Sequence, residues 1–296
     1  MTSVCIYFQV HQPFRLRRFW PDDRSGFFRY FDERCNREIF ERVARKCYIP
    51  ANRVLLDLLD RYKGEFRFSL SVTGTLLEQC ELWGKDVLES FRQMAETGSV
   101  EYLDETFYHS LSSLFEDKTE FIEEIREHRE SMSDLLGVKP EVFRNTELLY
   151  NNTIAKLVSD LGYKAILTEG ADHILDGRSP NVLYKAKGSG LPVIVRNYKL
   201  SDDIGYRFSA RWWEGYPLTA EKWASWASGI NEDCINIFMD YETFGEHQWE
   251  ETGIFSFLEK LPEEVLKTHL DFSTPRELVE KYSPVSEIDI GDFSTI

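Results

Sequence analysis

Cys234-Ile235-Asn236-Ile237-Phe238-Met239-Asp240-Tyr241-Glu242-Thr243-Phe244-Gly245-Glu246-His247 is an apolar run that breaks into three acids, two aromatics, a glycine and a histidine. A stretch rich in Ile, Phe and Met, without alternating polar residues, reads as a strand covered on both faces, as in a parallel sheet. Ligands of parallel sheets bind where the strands' carboxyl ends meet, so Asp240 stands where chemistry is expected.

Working outward, the same grammar recurs. Strand signals at 4–10, 66–72, 100–103, 142–145, 164–168, 193–196 and 235–239 are separated by segments with apolar residues at helical spacing: 54–62, 76–96, 119–136, 151–161 and 219–228. Alternating strand and helix implies a parallel sheet with right-handed crossovers, closed into a barrel or left open. The Gly-, Pro- and Asn-richer stretch 172–203 predicts a long loop or short hairpin beside the cleft. We expect residues 1–255 to form the catalytic barrel and 256–296 a helical or irregular extension packed on it, with the acidic end at 284–296 stopping short of the full structural unit.

The 296 residues are enough for one large core, and 21 Phe, 14 Tyr and 7 Trp supply rings for that core and for sugar stacking. With 35 Lys and Arg against 51 Asp and Glu the net charge is -16, which repels nucleic acid and anionic membrane surfaces and suits a neutral substrate. No apolar stretch approaches the roughly 20 residues that cross a bilayer. The chain enters its first strand at Val4 without a basic leader or cleavage site, and Cys5, Cys35, Cys47, Cys80 and Cys234 are scattered and odd in number. These features predict reduced thiols and a cytoplasmic location.

Four strand ends carry the candidate chemistry. The first runs into His11-Gln12-Pro13, where a histidine can donate to a ligand or fix a carboxylate. The second runs into Gly74-Thr75-Leu76-Leu77-Glu78, a close backbone approach followed by an acid in the first turn of a helix. The fourth gives Arg144-Asn145-Thr146-Glu147-Leu148, a strand ending in an acid as at Asp240. Two carboxylates from different strand ends are what glycosidic cleavage needs, one to attack the anomeric carbon and one to protonate the leaving oxygen. Arg144 and His11 favour an ionised Glu147, and apolar Phe238, Met239 and Tyr241 are expected to favour a neutral Asp240. That assigns Glu147 as nucleophile and Asp240 as acid/base.

In order and spacing, His11-Gln12-Pro13, residues 74–78, Asn145-Thr146-Glu147-Leu148 and residues 238–247 resemble the first four signature regions of glycoside hydrolase family 57. The resemblance covers residues 1 to about 250. It implies an incomplete seven-stranded parallel β/α barrel and retaining cleavage or transfer of α-glucosidic bonds with no metal or other cofactor. It places the nucleophile at Glu147 and the acid/base at Asp240. The form Asp240-Tyr241-Glu242-Thr243-Phe244-Gly245-Glu246-His247 is similar to the α-amylase-like members, and implies an α-1,4-glucan or maltooligosaccharide as partner. Tyr108-His109 resembles a loop that faces the sugar, and residues 200–208, with Asp202, a stretch near the acid/base. Glu242, Glu246 and His247 are read as holding Asp240 in place. Trp212, Trp213 and Trp249 are candidate sugar platforms, whereas the helical spacing of Trp223 and Trp226 reads as core. The family's fifth signature, with its stacking aromatic, has no counterpart that we can place before Ile296.

Three other readings compete. One is 4-α-glucanotransferase on the same scaffold, and another a catalytically weak glucan-binding protein. The third is a metal-dependent carbohydrate deacetylase, but the histidines, at 11, 109, 128, 173, 247 and 269, include no pair at metal-ligand spacing.

Overall fold

The structure, a computed structural model, describes residues 1–18, 30–292 and 294. Phe293, Thr295 and Ile296, which end the expected acidic extension, lie outside the described residues. Its strands are β1 (Ser3–Val10), β2 (Phe68–Val72), β3 (Val100–Tyr102), β4 (Val142–Arg144), β5 (Ala165–Thr168), β6 (Tyr184–Ala186), β7 (Pro192–Val195), β8 (Cys234–Asp240), β9 (Asp271–Phe272) and β10 (Ser286–Ile288). The helices are α1 (Glu33–Val43), α2 (Ile49–Arg61), α3 (Gly74–Trp83), α4 (Lys85–Glu96), α5 (Thr119–Leu136), α6 (Asn152–Asp160), α7 (Asp172–Leu175), α8 (Tyr198–Gly205), α9 (Ala220–Ser228), α10 (Ile254–Leu266) and α11 (Pro275–Lys281).

Each of the expected strands is present, and together they make an incomplete barrel. β8, β1, β2 and β3 pair in parallel, as do β4, β5 and β7. A short bridge joins the two arcs: the Asp104 N–H donates to Val142 O (3.0 Å), and the Arg144 N–H to Asp104 O (2.9 Å). At the other seam, β7 and β8 share no ladder among the described residues. They are stitched by the Asn197 N–H to Asn236 O (2.8 Å), by Asn236 Nδ2 to Val195 O (2.9 Å) and by Arg196 Nε to Phe238 O (2.9 Å). One main-chain bond and two side-chain bonds therefore stand in for a ladder where the barrel stays open.

Alternation along the strands sorts residues between two cores. On β1, Val4, Ile6, Phe8 and Val10 face the helices, while Cys5 and Tyr7 face the barrel interior with Val142, Leu167, Ile194 and Phe238. On β8, Ile235, Ile237 and Met239 face outward, and Cys234 and Phe238 inward. The two-residue period thus sets Asp240 on the interior side at the carboxyl end.

The helical expectations need three corrections. The helix read across 76–96 is two helices, because a Cβ at Gly84 would overlap the Phe40 ring and the backbone there leaves helical geometry (φ -142°, ψ 54°). The 172–203 stretch holds the expected hairpin, with β6 antiparallel to β7, and adds α7 and α8. The C-terminal segment is more than helical or irregular: β9 pairs with β1 and β10 with β6. Leu278 of α11 enters the interior core, and Tyr282 Oη lies 3.1 Å from Ser3 Oγ, so α11 plugs the amino end of the barrel. The five cysteines are unpaired.

The seam provides a test. Asn236→Ala removes the donor to Val195 O inside the core, and should cost about 1–3 kcal/mol. Urea unfolding measures it, and an unchanged midpoint would show that the seam needs no side-chain bond.

Candidate active site

The carboxyl ends of the strands enclose a cleft of about 580 Å³. Glu147 and Arg144 reach it from β4, Asp240 from β8, Glu169 from beyond β5, Arg196 from beyond β7 and Asp202 from α8, and His247 completes the wall.

Glu147 sits on strained backbone. Glu147 (φ 52°) and Leu148 (φ 58°) both adopt left-handed geometry, as does His109 (φ 55°). For an L-residue this costs roughly 1–2 kcal/mol each, so the surroundings must hold it. Asn145 does most of that. Its Oδ1 accepts the Thr146 N–H (3.0 Å), its Nδ2 donates to Leu149 O (3.0 Å) and to Ser113 Oγ (2.9 Å), and its main-chain carbonyl accepts the Leu148 N–H (2.9 Å). Thr168 Oγ1 adds a bond to Leu148 O (3.0 Å). The turn lifts the Glu147 carboxylate into the cleft.

His109 Nε2 lies 3.2 Å from Glu147 Oε1, and His109 Nδ1 lies 3.0 Å from Glu105 Oε2. The hydrogen bond from His109 lowers the Glu147 pKa, against partial burial and with help from the Arg144 charge. Glu105 is fully buried, which alone would raise its pKa. The His109 bond and the charges of His109, His128 and Arg144 outweigh burial and hold it at about 2. The His11 ring stacks on His109 with centroids 4.4 Å apart, and burial, then the neighbouring His109, lowers its pKa to about 4. Arg144 was expected to keep Glu147 ionised, and contributes. The stronger partner is His109.

The candidates separate into groups. Glu147, Asp240, Asp202 and His247 line one cleft, with His11 and His109 stacked beside Glu147. Glu242 is buried behind them, accepting from Tyr48 Oη (2.7 Å) and from the His11 N–H (3.3 Å). Glu246 turns away to pair with Arg42 (3.0 Å). Glu78 is half-buried on α3, where burial and then the charges of Glu81 and Glu127 raise its pKa, and it does not line the cleft. Trp212 is 80% exposed, and Trp213 packs edge-on against Trp226 (5.9 Å); neither lines the cleft, and nor does Trp249. The cleft is lined by the buried rings of Tyr7 and Phe238 and, at its mouth, by Tyr206, 79% exposed. Trp223 is core as expected, whereas Trp226 is partly exposed. Of the apolar residues expected around Asp240, Phe238 and Met239 line the cleft with it, whereas the Tyr241 ring turns the other way onto Phe8 and Tyr48, and Asp240 itself is exposed.

Sequence reasoning missed Glu105, Glu169 and Arg196. Glu169 and Arg196 follow β5 and β7 directly and Glu105 lies three residues past the end of β3, so the grammar that picked out Glu147 and Asp240 applied to them too. Arg196 spans the open seam, donating to Glu169 (2.9 Å) and Asp202 (2.6 Å) as well as to Phe238 O. Among the described residues, no group of three or more His, Cys, Asp or Glu side chains is arranged to hold a metal ion.

Residues 5–291 match the family model described as Glycosyl hydrolase family 57. The chain belongs to that family. It is 49% identical over 295 residues to a Methanocaldococcus jannaschii protein named "Putative alpha-amylase", covering 99% of this chain and 62% of that protein. This chain therefore spans less than two thirds of that relative's length. Among solved structures, it resembles the 4-alpha-glucanotransferase of Thermococcus litoralis (TM-score 0.73, 17% identity, 98% of this chain and 42% of that one). It also resembles a GH57 branching enzyme of Thermococcus kodakaraensis (TM-score 0.71, 15% identity, 98% and 73%). At these identities the likeness is one of fold, and the shared fold is the family's incomplete barrel.

Burial, reinforced by the Asp240 charge and opposed by the Tyr48 hydrogen bond, raises the Glu242 pKa from 4.5 to about 8. The folded chain then keeps a proton that the unfolded chain releases, so stability falls as pH rises between these two values and is level above them. Glu101, which burial raises to about 7, acts in the same direction. Glu242→Gln should flatten the fall in urea midpoint between pH 5 and pH 8; an unchanged slope would contradict this.

Proposed function

We propose that this family 57 chain is a retaining glycoside hydrolase acting on α-1,4-glucans, α-amylase-like, with Glu147 as nucleophile and Asp240 as acid/base. The observation that carries the reading is the pairing of His109 with Glu147: the carboxylate is kept ionised on a strained turn, across one cleft from an exposed Asp240. In the first half-reaction, a Glu147 oxygen forms a bond to the anomeric carbon as the glycosidic C–O bond breaks and Asp240 gives its proton to the leaving oxygen. In the second, Asp240 takes a proton from water, whose oxygen displaces Glu147 from the same carbon. Two inversions leave the α configuration.

The cleft carries Glu147, Glu169, Asp202 and Asp240 against Arg144 and Arg196, which favours a neutral sugar over an anionic one. Asp202, His247, His11 and His109 are proposed to contact it, with Tyr206 as a stacking surface at the mouth. Glu242 acts from behind the cleft, on the His11 main chain. Contacts by Glu78, Trp212 or Trp213 would need a substrate reaching beyond the cleft. We assign residues 1–255 to the catalytic barrel and 256–296 to an extension packed on it. No helix of the described residues is long and apolar enough to cross a membrane.

The fold shared with a glucanotransferase keeps one alternative open, in which a sugar hydroxyl replaces water in the second half-reaction. Product analysis after incubation with maltooligosaccharides of defined length separates the two, since transfer yields products longer than the substrate. Glu147→Gln and Asp240→Asn should each lower kcat by roughly 10²-fold or more while leaving the fold intact. Parent-like turnover in either variant would overturn the assignment.

A further inference from the structure

We propose that the His109 ring is a resident imidazolium, protonated at both nitrogens while Glu147 reacts, and that buried Glu105 is the positioning residue that keeps it so. Glu105 Oε1 accepts from Gln9 Nε2 (2.9 Å), and Glu105 Oε2 faces His109 Nδ1 (3.0 Å). Gln9 Oε1 is turned to Tyr7 Oη (2.6 Å) and Ser71 Oγ (3.0 Å), which leaves its Nε2 as the atom that meets Glu105. Glu105 is thus an acceptor at both oxygens, and Nδ1 of His109 must carry hydrogen.

The other nitrogen faces a carboxylate too. Nε2 stands 3.2 Å from Glu147 Oε1, and a Glu147 that attacks as an anion has no proton to give, so Nε2 must also be a donor. This second step rests on the reading of Glu147 as nucleophile. The groups around the ring fit a single positive charge. Glu105 and Glu147 flank it in the plane, and Arg144 of β4 opposes it from a distance. His11, after β1, lies flat against it, and is kept neutral by burial, so the stack does not set two cations together. Behind Glu105, His128 of α5 contributes a further positive charge.

The arrangement assigns the two oxygens of Glu147. Oε1 is held by His109, which leaves Oε2 to form the bond to the anomeric carbon while Asp240 protonates the departing oxygen. In the glycosyl ester, Oε1 is the carbonyl oxygen and still accepts from Nε2–H. When water attacks and the C–Oε2 bond breaks, its electron pair returns to a carboxylate that already faces a cation. The His109 proton is not transferred in either half-reaction. Glu105 touches no reacting atom: it acts through His109.

The test reads His109 directly. In the full chain labelled with ¹⁵N-histidine, the His109 ring nitrogens should both show the protonated state at pH 7, with assignment by loss of the signals in His109→Gln. In Glu105→Gln the ring should be neutral at that pH. Its Nε2–H still reaches Glu147 but without the positive charge, so the Glu147 pKa rises and the acid limb of kcat/KM should move up by about one pH unit. With the charge lost, kcat should fall roughly a hundredfold with little change in KM. Glu105→Asp, which restores the charge, should return the limb toward its original position. A neutral His109 ring at pH 7 in the parent overturns the proposal without need of any variant, as does an acid limb that Glu105→Gln leaves in place. Full activity in Glu147→Gln would instead remove the nucleophile assignment, and the ring's charge would still be read from the nitrogen shifts.

Discussion

The interaction on which the cleft depends is the burial of one carboxylate, Glu105, beyond the third strand. A charge without access to water is tolerated only when its oxygens are bonded and its field is balanced. Gln9 from β1 and His109 from the following loop meet the first requirement, and the charges of His109, His128 and Arg144 the second. Satisfying Glu105 therefore draws strands one, three and four and the 106–112 loop to one point. Glu147 is attached to that point through His109. The neighbouring Asp104 is buried as well and bonds to His128, Arg129 and Tyr163, while His128 Nε2 lies 2.9 Å from Val72 O. The polar floor of the cleft is thus tied to β2 and α5.

The second constraint is geometric. A carboxylate that must project from the end of a short strand and meet a histidine from another loop has few backbone routes available. The left-handed residues at Glu147, Leu148 and His109 are the route taken. Local strain of this kind persists when the surroundings over-determine it, and the several bonds to and from Asn145 supply that. Gly245 plays a similar part after Asp240: it lies at φ 108°, and a Cβ there would overlap the carbonyl oxygen of Lys46. The loop carrying His247 is thereby pressed against the turn that follows α1.

Much of this was legible in the sequence. Strands buried on both faces write themselves as apolar runs, and the abrupt acids after Met239 and Arg144 mark the open end of the barrel. What was hidden has identifiable causes. Glu105 lies past a strand that the sequence did show, but nothing local marks Asp104-Glu105 as buried rather than as the polar loop that usually follows a strand. Arg196 matters because β7 and β8 fail to pair, and an open seam is a tertiary fact with no local signature. Tyr206 was overlooked in favour of Trp212 and Trp213 because sequence locates aromatics without saying which way they face. The break at Gly84 depends on Phe40, a residue of another helix.

The most direct measurement is to trap the covalent intermediate. An α-glucosyl or maltosyl fluoride carrying a second fluorine that slows the return of water should accumulate the glycosyl-enzyme, and mass spectrometry of the digested protein should find one glycosyl unit on the peptide containing Glu147. A glycosyl unit on any other residue, or turnover to inverted product with no adduct, would contradict the account.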